Sequence, residues 1–324
     1  MARALILLLT IIGLATAAWI VRGVGAAPVL AAIAAIGGWG FALYCAYSLV
    51  VLALLGAAWR AVAPGGGPVG TYAWARTVRE GATDVLPFAQ IGGIVVGGRV
   101  LAARGVANDL VYASMIADLT TEMASQALFT LFGVAALVLA LGSGFGGSLE
   151  GAAGVLKLVL GGAALAVALM FAVAFGQQPL LRLTRGLAAR LVPTAAASFD
   201  AVSARLAAIY RDPTAVALSF VLNLAAWIAS GFGAWLALRL MGVVVGTLPV
   251  LAVEALIFAV RSIAFVVPGA LGVQEGAYLL LAPLFAIDPR AAIALSLLKR
   301  ARDVAIGLPA LVAWQAGEGR KLLA

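Results

Sequence analysis

The chain has 324 residues, 65% of them hydrophobic and 10% charged, with mean hydropathy +1.14 and a formal net charge of +8. Soluble domains carry about 25% charged residues, so this composition excludes a water-covered globule. With no histidine and a single cysteine, Cys45, it also excludes His-based acid–base catalysis, a Ser–His–Asp triad, an intrachain disulfide and a CxxC metal or redox site.

The apolar residues come in runs of the roughly 18 or more residues that cross a ~30 Å hydrocarbon core. Backbone in lipid must satisfy its own hydrogen bonds, so such runs are helical, and the ~10-residue alternating segments of a membrane barrel are absent. Six full spans are expected. The first covers about 4–21 behind Arg3. A cleaved signal peptide competes with it, because Leu14-Ala15-Thr16-Ala17-Ala18 offers small residues. The run is long for a signal core and further spans follow, so an uncleaved helix is expected. Residues 26–36 read as interfacial, and the second span covers about 38–59. Gly65-Gly66-Gly67, ahead of Pro68, lacks the following Lys-Ser/Thr and the preceding strand of a phosphate loop, and reads as a linker.

The next stretch, about 71–104, is apolar but interrupted at Leu86-Pro87-Phe88-Ala89-Gln90-Ile91-Gly92-Gly93. Proline removes a backbone donor and glycine loosens a helix. Two short helices meeting at a turn are therefore expected, entering the membrane and returning; a kinked core helix is the alternative. The third span is the late part of a long helix over about 107–141, and the fourth covers about 154–176. In the loop 177–213, Arg182, Arg185, Arg190 and Arg205 sit among leucines and alanines at helical spacing. That spacing suits an amphipathic helix on the inner leaflet, with a solvated loop as the alternative. The fifth span covers about 214–240. A second broken stretch follows over about 248–286, interrupted at Val267-Pro268-Gly269-Ala270-Leu271-Gly272-Val273-Gln274-Glu275-Gly276, and the last span covers about 289–315.

Basic residues set the orientation. With the N-terminus in the cytoplasm, the inner segments hold Arg3, Arg60, Arg76, Arg79, Arg182, Arg185, Arg190, Arg205, Arg211, Arg320 and Lys321. The outer ends hold only Arg22, Lys157, Arg239 and Arg290. Both termini are expected inside. Positive charge flanking apolar runs also reads as topology marking and anionic-lipid contact, not nucleic-acid binding.

The two broken stretches occupy matching places, each after a full span and each leading into a helix with buried charge. An offset of 181 sets Pro87 on Pro268, Asp118 on Lys299 and Glu122 on Asp303. Three spans separate them, so one hairpin opens from each side. The expectation is an all-α polytopic protein forming one transmembrane domain over 1–324. Its first repeat covers about 38–141, a linking span and loop about 154–213, and the second repeat about 214–315. The hairpins are then related as an inverted-topology repeat, with Pro87, Gly92, Gly93, Pro268, Gly269 and Gly272 as the breaks.

Ionisable side chains inside a span are costly unless paired or wet. Asp118 and Glu122 share one helix face, and Asp118 lies about 16 Å past Ala107, near mid-bilayer. Lys299 lies at comparable depth beside Arg300, Arg302 and Asp303, and Asp118 or Glu122 is expected to pair with Lys299 or Arg302. A structural salt bridge is the alternative to a functional one. Glu254 and Arg261 are seven apart on the first arm of the second hairpin. Glu275, just past the Pro-Gly break, either caps the returning half-helix or accompanies a lipid phosphate held at its N-terminus. Arg99 and Arg104, on the return arm of the first hairpin, either attract phosphate or snorkel to the inner surface. The candidate substrate-binding set is Arg99, Asp118, Glu122, Glu254, Arg261, Gln274, Glu275, Lys299 and Arg300; no catalytic residue, metal ligand or cofactor is expected.

The segment from Val267 to Glu275 resembles the Pro-Gly-Gly-Leu-Gly-Val-x-Glu motif of the flippase-like, lysylphosphatidylglycerol-synthase transmembrane family, and Lys299-Arg300 matches where that family usually has an Arg. Its first-half element, Pro-x-x-x-Gly-Glu-x-x-Arg-like, is met by Pro87 and Gly92, with Gly93 standing where Glu is usual. The run from Glu80 to Gly93 resembles the hopanoid-biosynthesis-associated subgroup, HpnL. The resemblance implies lipid translocation in a bacterial inner membrane, the cargo being a hopanoid or another polar-headed lipid. Synthase members carry a soluble aminoacyl-transfer domain after the membrane part; here the chain ends at Ala324, so that domain is expected to be missing. A lipid flippase is the leading expectation. A non-transporting partner of a lipid-synthesis complex and an intramembrane lipid-modifying enzyme are the alternatives, the last disfavoured by the lack of a nucleophile–base motif.

Overall fold

A computed structural model describes residues 34–85, 89–142, 193–264, 267 and 270–323, with scattered positions at 27, 31 and between 161 and 176. The described residues are helical and hold no strand. The expected first span, most of the fourth, the interfacial stretch up to residue 33, Arg182, Arg185, Arg190, Pro87, Pro268 and Gly269 lie outside them.

In chain order the helices are α1 (Gly37–Ala61), α2 (Val69–Val85), α3 (Ala89–Ala102), α4 (Asn108–Gly142), α5 (Pro193–Tyr210), α6 (Pro213–Leu240), α7 (Thr247–Ile263), α8 (Val273–Leu281) and α9 (Pro289–Leu323). A single 3-10 turn, Ala282–Phe285, joins α8 to α9. Among the described residues α1, α4 and α6 are long and apolar enough to cross a membrane. Their outward faces carry exposed Trp39, Leu43 and Val50, Leu131 and Leu139, and Leu218, Val221 and Phe232, surface that hydrocarbon covers at no cost. α9 holds Lys299, Arg300, Arg302 and Asp303 within its length and falls short of that apolar standard.

Both interrupted stretches are pairs of short helices. α2 and α3, of 17 and 14 residues, run about 25 and 21 Å at 1.5 Å per residue. A Cβ on Gly93 would reach Thr83 and stand 2.7 Å from the Arg79 carbonyl, and one on Gly97 would stand 3.1 Å from the Arg79 Cβ. That pairing order makes the two arms antiparallel. Gly92 and Gly93 therefore lie inside α3, where the arms touch, and not in the turn where the sequence had placed them. In the second stretch the break is real at Gly272, whose φ of +76° suits glycine and starts α8. Glu275 completes the cap, its Oε2 accepting from the Gly272 N–H at 2.8 Å.

The succession α1–α4, of 25, 17, 14 and 35 residues, recurs as α6–α9, of 28, 17, 9 and 35. The contacts between these groups are reciprocal. α1 lies along α6, α2 against α9, and α7 against α4. Gly81 of α2 meets the backbone of Gly307 on α9, while Gln126 of α4 donates to Ser262 of α7 at 2.8 Å. Among the described residues two large apolar cores result, with smaller clusters between them. One gathers Trp59, Tyr72, Leu101 and Val111 around α2–α4, and the other Leu238, Ile257, Tyr278 and Ile293 around α6–α9. α5 docks on the first core through Leu206 and Ile209, with Arg205 paired to Asp109 at 3.1 Å.

α1 and α2 approach so closely that a Cβ on Gly56 would stand 2.5 Å from the Ala73 amide nitrogen. Backbone cannot retreat as a side chain can. Gly56→Val is expected to cost about 1–3 kcal/mol of stability, read as earlier heat unfolding in detergent.

Candidate functional site

Five side chains of α2 fall on one helix face at helical spacing: Arg76, Arg79, Glu80, Thr83 and Asp84. All five line a cavity of about 500 Å³ between the two halves. α1 contributes Tyr44, Tyr47 and Ser48; α4 contributes Glu122 and Gln126; α6 contributes Trp227 and Ser230. α7 adds Phe258, Arg261 and Ser262, and α9 adds Arg302 and Asp303. Val51, Leu52, Leu55 and Ile306 complete an apolar wall. The size suits a small polar group, since ligand sites run ~300–1,000 Å³.

The floor is a tight ionic cluster. Arg76 donates to both oxygens of Glu122, through Nη2 to Oε1 and at 2.9 Å from Nη1 to Oε2. Its Nη1 also lies 3.5 Å from Asp118 Oδ2, and its Nε 2.9 Å from Glu80 Oε1. Arg79 reaches the same two α4 carboxylates at 3.6 and 3.4 Å. Asn223 of α6 donates to Asp118 Oδ1 at 3.3 Å and to Thr121 at 3.2 Å. Asp118 is wholly buried, and Arg76, Arg79 and Glu122 nearly so. Buried charges persist only when paired this thoroughly.

Two further ion pairs line the cavity. Arg261 Nη2 lies 3.4 Å from Asp84 Oδ1, joining α7 to α2. Arg302 pairs with the adjacent Asp303, donates to Tyr44 Oη at 3.3 Å and stands over the Tyr44 ring. The lining thus holds four guanidiniums, Arg76, Arg79, Arg261 and Arg302, and four carboxylates, Glu80, Asp84, Glu122 and Asp303.

The remaining candidates lie elsewhere. Lys299 Nζ donates to Glu254 Oε2 at 2.6 Å and to Tyr278 Oη at 3.0 Å, and stands over the Phe258 ring. Tyr278 in turn donates to Glu254 Oε1. This triad is sealed between α7, α8 and α9. Glu275 takes Ser296 Oγ at 3.0 Å and Arg300 Nε at 3.2 Å, and Gln274 donates to Ser296 at 2.8 Å. Those bonds fasten α8 to α9. Arg99 is exposed on α3.

Of the nine predicted binding residues, then, Glu122 and Arg261 line the cavity and Asp118 stands directly behind it. The expected pairing of Asp118 or Glu122 with Lys299 or Arg302 does not form. Each partner is found within its own half: Arg76 of α2 reaches Glu122 of α4, and Lys299 of α9 reaches Glu254 of α7. Arg76 and Arg79, read as cytoplasmic markers, are buried counter-ions. Arg302, Asp84 and Tyr44 were not singled out as binding residues. The spacing of Arg76, Arg79, Glu80 and Asp84 on one face was the available signal. Among the described residues no group of three His, Cys, Asp or Glu is placed to hold a metal.

A family model described as the lysylphosphatidylglycerol synthase TM region matches residues 4–310. No curated protein and no solved structure matches the chain.

Proposed function

The chain belongs to the lysylphosphatidylglycerol synthase TM-region family, and from that membership we propose that it moves a polar-headed lipid, a hopanoid or a related membrane lipid, across a bacterial inner membrane. One observation carries the reading: a charged cavity walled on one side by apolar residues and built from both halves of the fold. A headgroup fits the charged side, and its acyl or terpenoid part stays in lipid.

The arms of the two hairpins support a re-entrant arrangement. At about 25 Å for α2 and α7 and 14 Å for α8, each is shorter than the ~30 Å core. The recurring element lengths and the reciprocal contacts of α2 with α9 and α7 with α4 support an inverted repeat. Alternating access then comes from one half rocking against the other around the shared cavity, with both termini cytoplasmic. The sequence offers no nucleotide-binding motif, so the driving force is a gradient or a partner protein, and we assign the chain no covalent chemistry.

The test is headgroup accessibility in vesicles with and without purified, folded protein. Faster exchange of labelled lipid between leaflets is expected with the protein present. Equal rates would count against translocation and leave a role as a membrane partner of lipid-synthesis proteins.

A further inference from the structure

Resting on the translocation reading, we infer that the headgroup taken by the cavity is zwitterionic, carrying one phosphate and one ammonium as phosphoethanolamine does. The argument starts from the charge lining the cavity, four guanidiniums against four carboxylates. A site for an anionic headgroup would present surplus guanidinium, and a site for a cationic one surplus carboxylate. Neither surplus lines the cavity; Asp118, behind it, is taken up by Arg76, Arg79 and Asn223.

The pairs also differ in how firmly they are held. Arg76 and Arg79 share Glu122 and Asp118 at the buried floor, and Arg76 further holds Glu80. Arg302 is held by Asp303, by the Tyr44 hydroxyl and by the Tyr44 ring. Arg261 and Asp84 have one 3.4 Å contact with each other, and their side chains are 25% and 18% exposed. They are the pair a ligand can separate at least cost, and they supply one cation site and one anion site side by side.

A phosphate that takes Arg261 strips Asp84 of its one direct ion-pair partner among the described residues, in a low-dielectric cavity, which is costly unless a new cation arrives. An ammonium two carbons from the phosphate replaces that counter-ion. A purely anionic headgroup leaves Asp84 without a direct partner, and an uncharged one compensates neither side of the pair. The same two residues bridge the hairpin arms α2 and α7, so binding also loosens the link between the halves.

The experiment uses the full chain in vesicles with acyl-chain-labelled phosphatidylethanolamine, phosphatidylglycerol or monogalactosyl diacylglycerol, read by dithionite quenching. Phosphatidylethanolamine is expected to exchange about tenfold faster than the other two. Asp84→Asn frees Arg261 and is expected to shift the preference to phosphatidylglycerol. The charge exchange Asp84→Arg with Arg261→Asp keeps both signs and is expected to retain the wild-type order, which guards against a folding artefact in the single variant. If phosphatidylglycerol or the galactolipid keeps pace in the wild-type protein, or if Asp84→Asn leaves the order unchanged, the zwitterion inference falls while translocation stands. If no lipid moves faster than in protein-free vesicles, the translocation reading itself falls.

Discussion

Arg76→Met is expected to destabilise the protein by about 3–5 kcal/mol, the cost of stranding a buried charge partner. Arg76 gives Glu122 both of its bonds to a close guanidinium. Without it Glu122 retains Arg79 at 3.4 Å, a guanidinium already shared with Asp118 at 3.6 Å. Three carboxylates, Glu80, Asp118 and Glu122, then face one cation. The double variant Arg76→Met with Glu122→Leu is expected to recover most of the loss, because Arg79 and Asp118 remain as a simple pair. Heat or denaturant unfolding in detergent reads both. A loss below about 1 kcal/mol for the single variant would mean that water reaches the cluster freely.

Lys299→Met is expected to cost a similar 3–5 kcal/mol, approximately, for the same reason. Glu254 is wholly buried and would keep the Tyr278 hydroxyl as its remaining hydrogen-bond donor among the described residues. Here the double variant is Glu254→Gln with Lys299→Met, since glutamine still accepts from Tyr278. It is expected to return to within about 1 kcal/mol of the native protein. Its transport rate is expected to stay within about twofold of wild type, a difference well under 1 kcal/mol. The triad is sealed between helices and lines no part of the central cavity. A double variant that folds normally but no longer transports would make the triad part of the working site after all.

These paired variants bear on what was legible from sequence. The long apolar helices could be read because length and hydropathy are local properties; Gly37–Ala61, Asn108–Gly142 and Pro213–Leu240 fall within a few residues of the expected limits. The helix ends at Val85 and Ile263 and the restarts at Ala89 and Val273 were legible because proline and glycine act on their own backbone. Glu275 as a cap was legible for the same reason. Which helices meet is a non-local property, and there the sequence reading failed. It paired Asp118 or Glu122 with Lys299 or Arg302 across the two long helices, whereas α4 and α9 make little contact and each takes its counter-ion from a shorter helix of its own half. Arg76 and Arg79 misled for a related reason. Arginines near the end of an apolar stretch usually mark the cytoplasmic face, and only the tertiary fold, which sets the α4 carboxylates within reach of both side chains, shows them as buried counter-ions.

The central claim is that lipid headgroups pass through the cavity between the halves. It is tested most directly by plugging that cavity in a protein already folded and reconstituted. In a Cys45→Ser background, Ser230→Cys places a single thiol on the cavity wall. Modification with a bulky methanethiosulfonate is expected to bring lipid exchange down to the protein-free rate, and reduction to restore it in the same vesicles. Complete modification at Ser230→Cys with undiminished exchange would contradict the account.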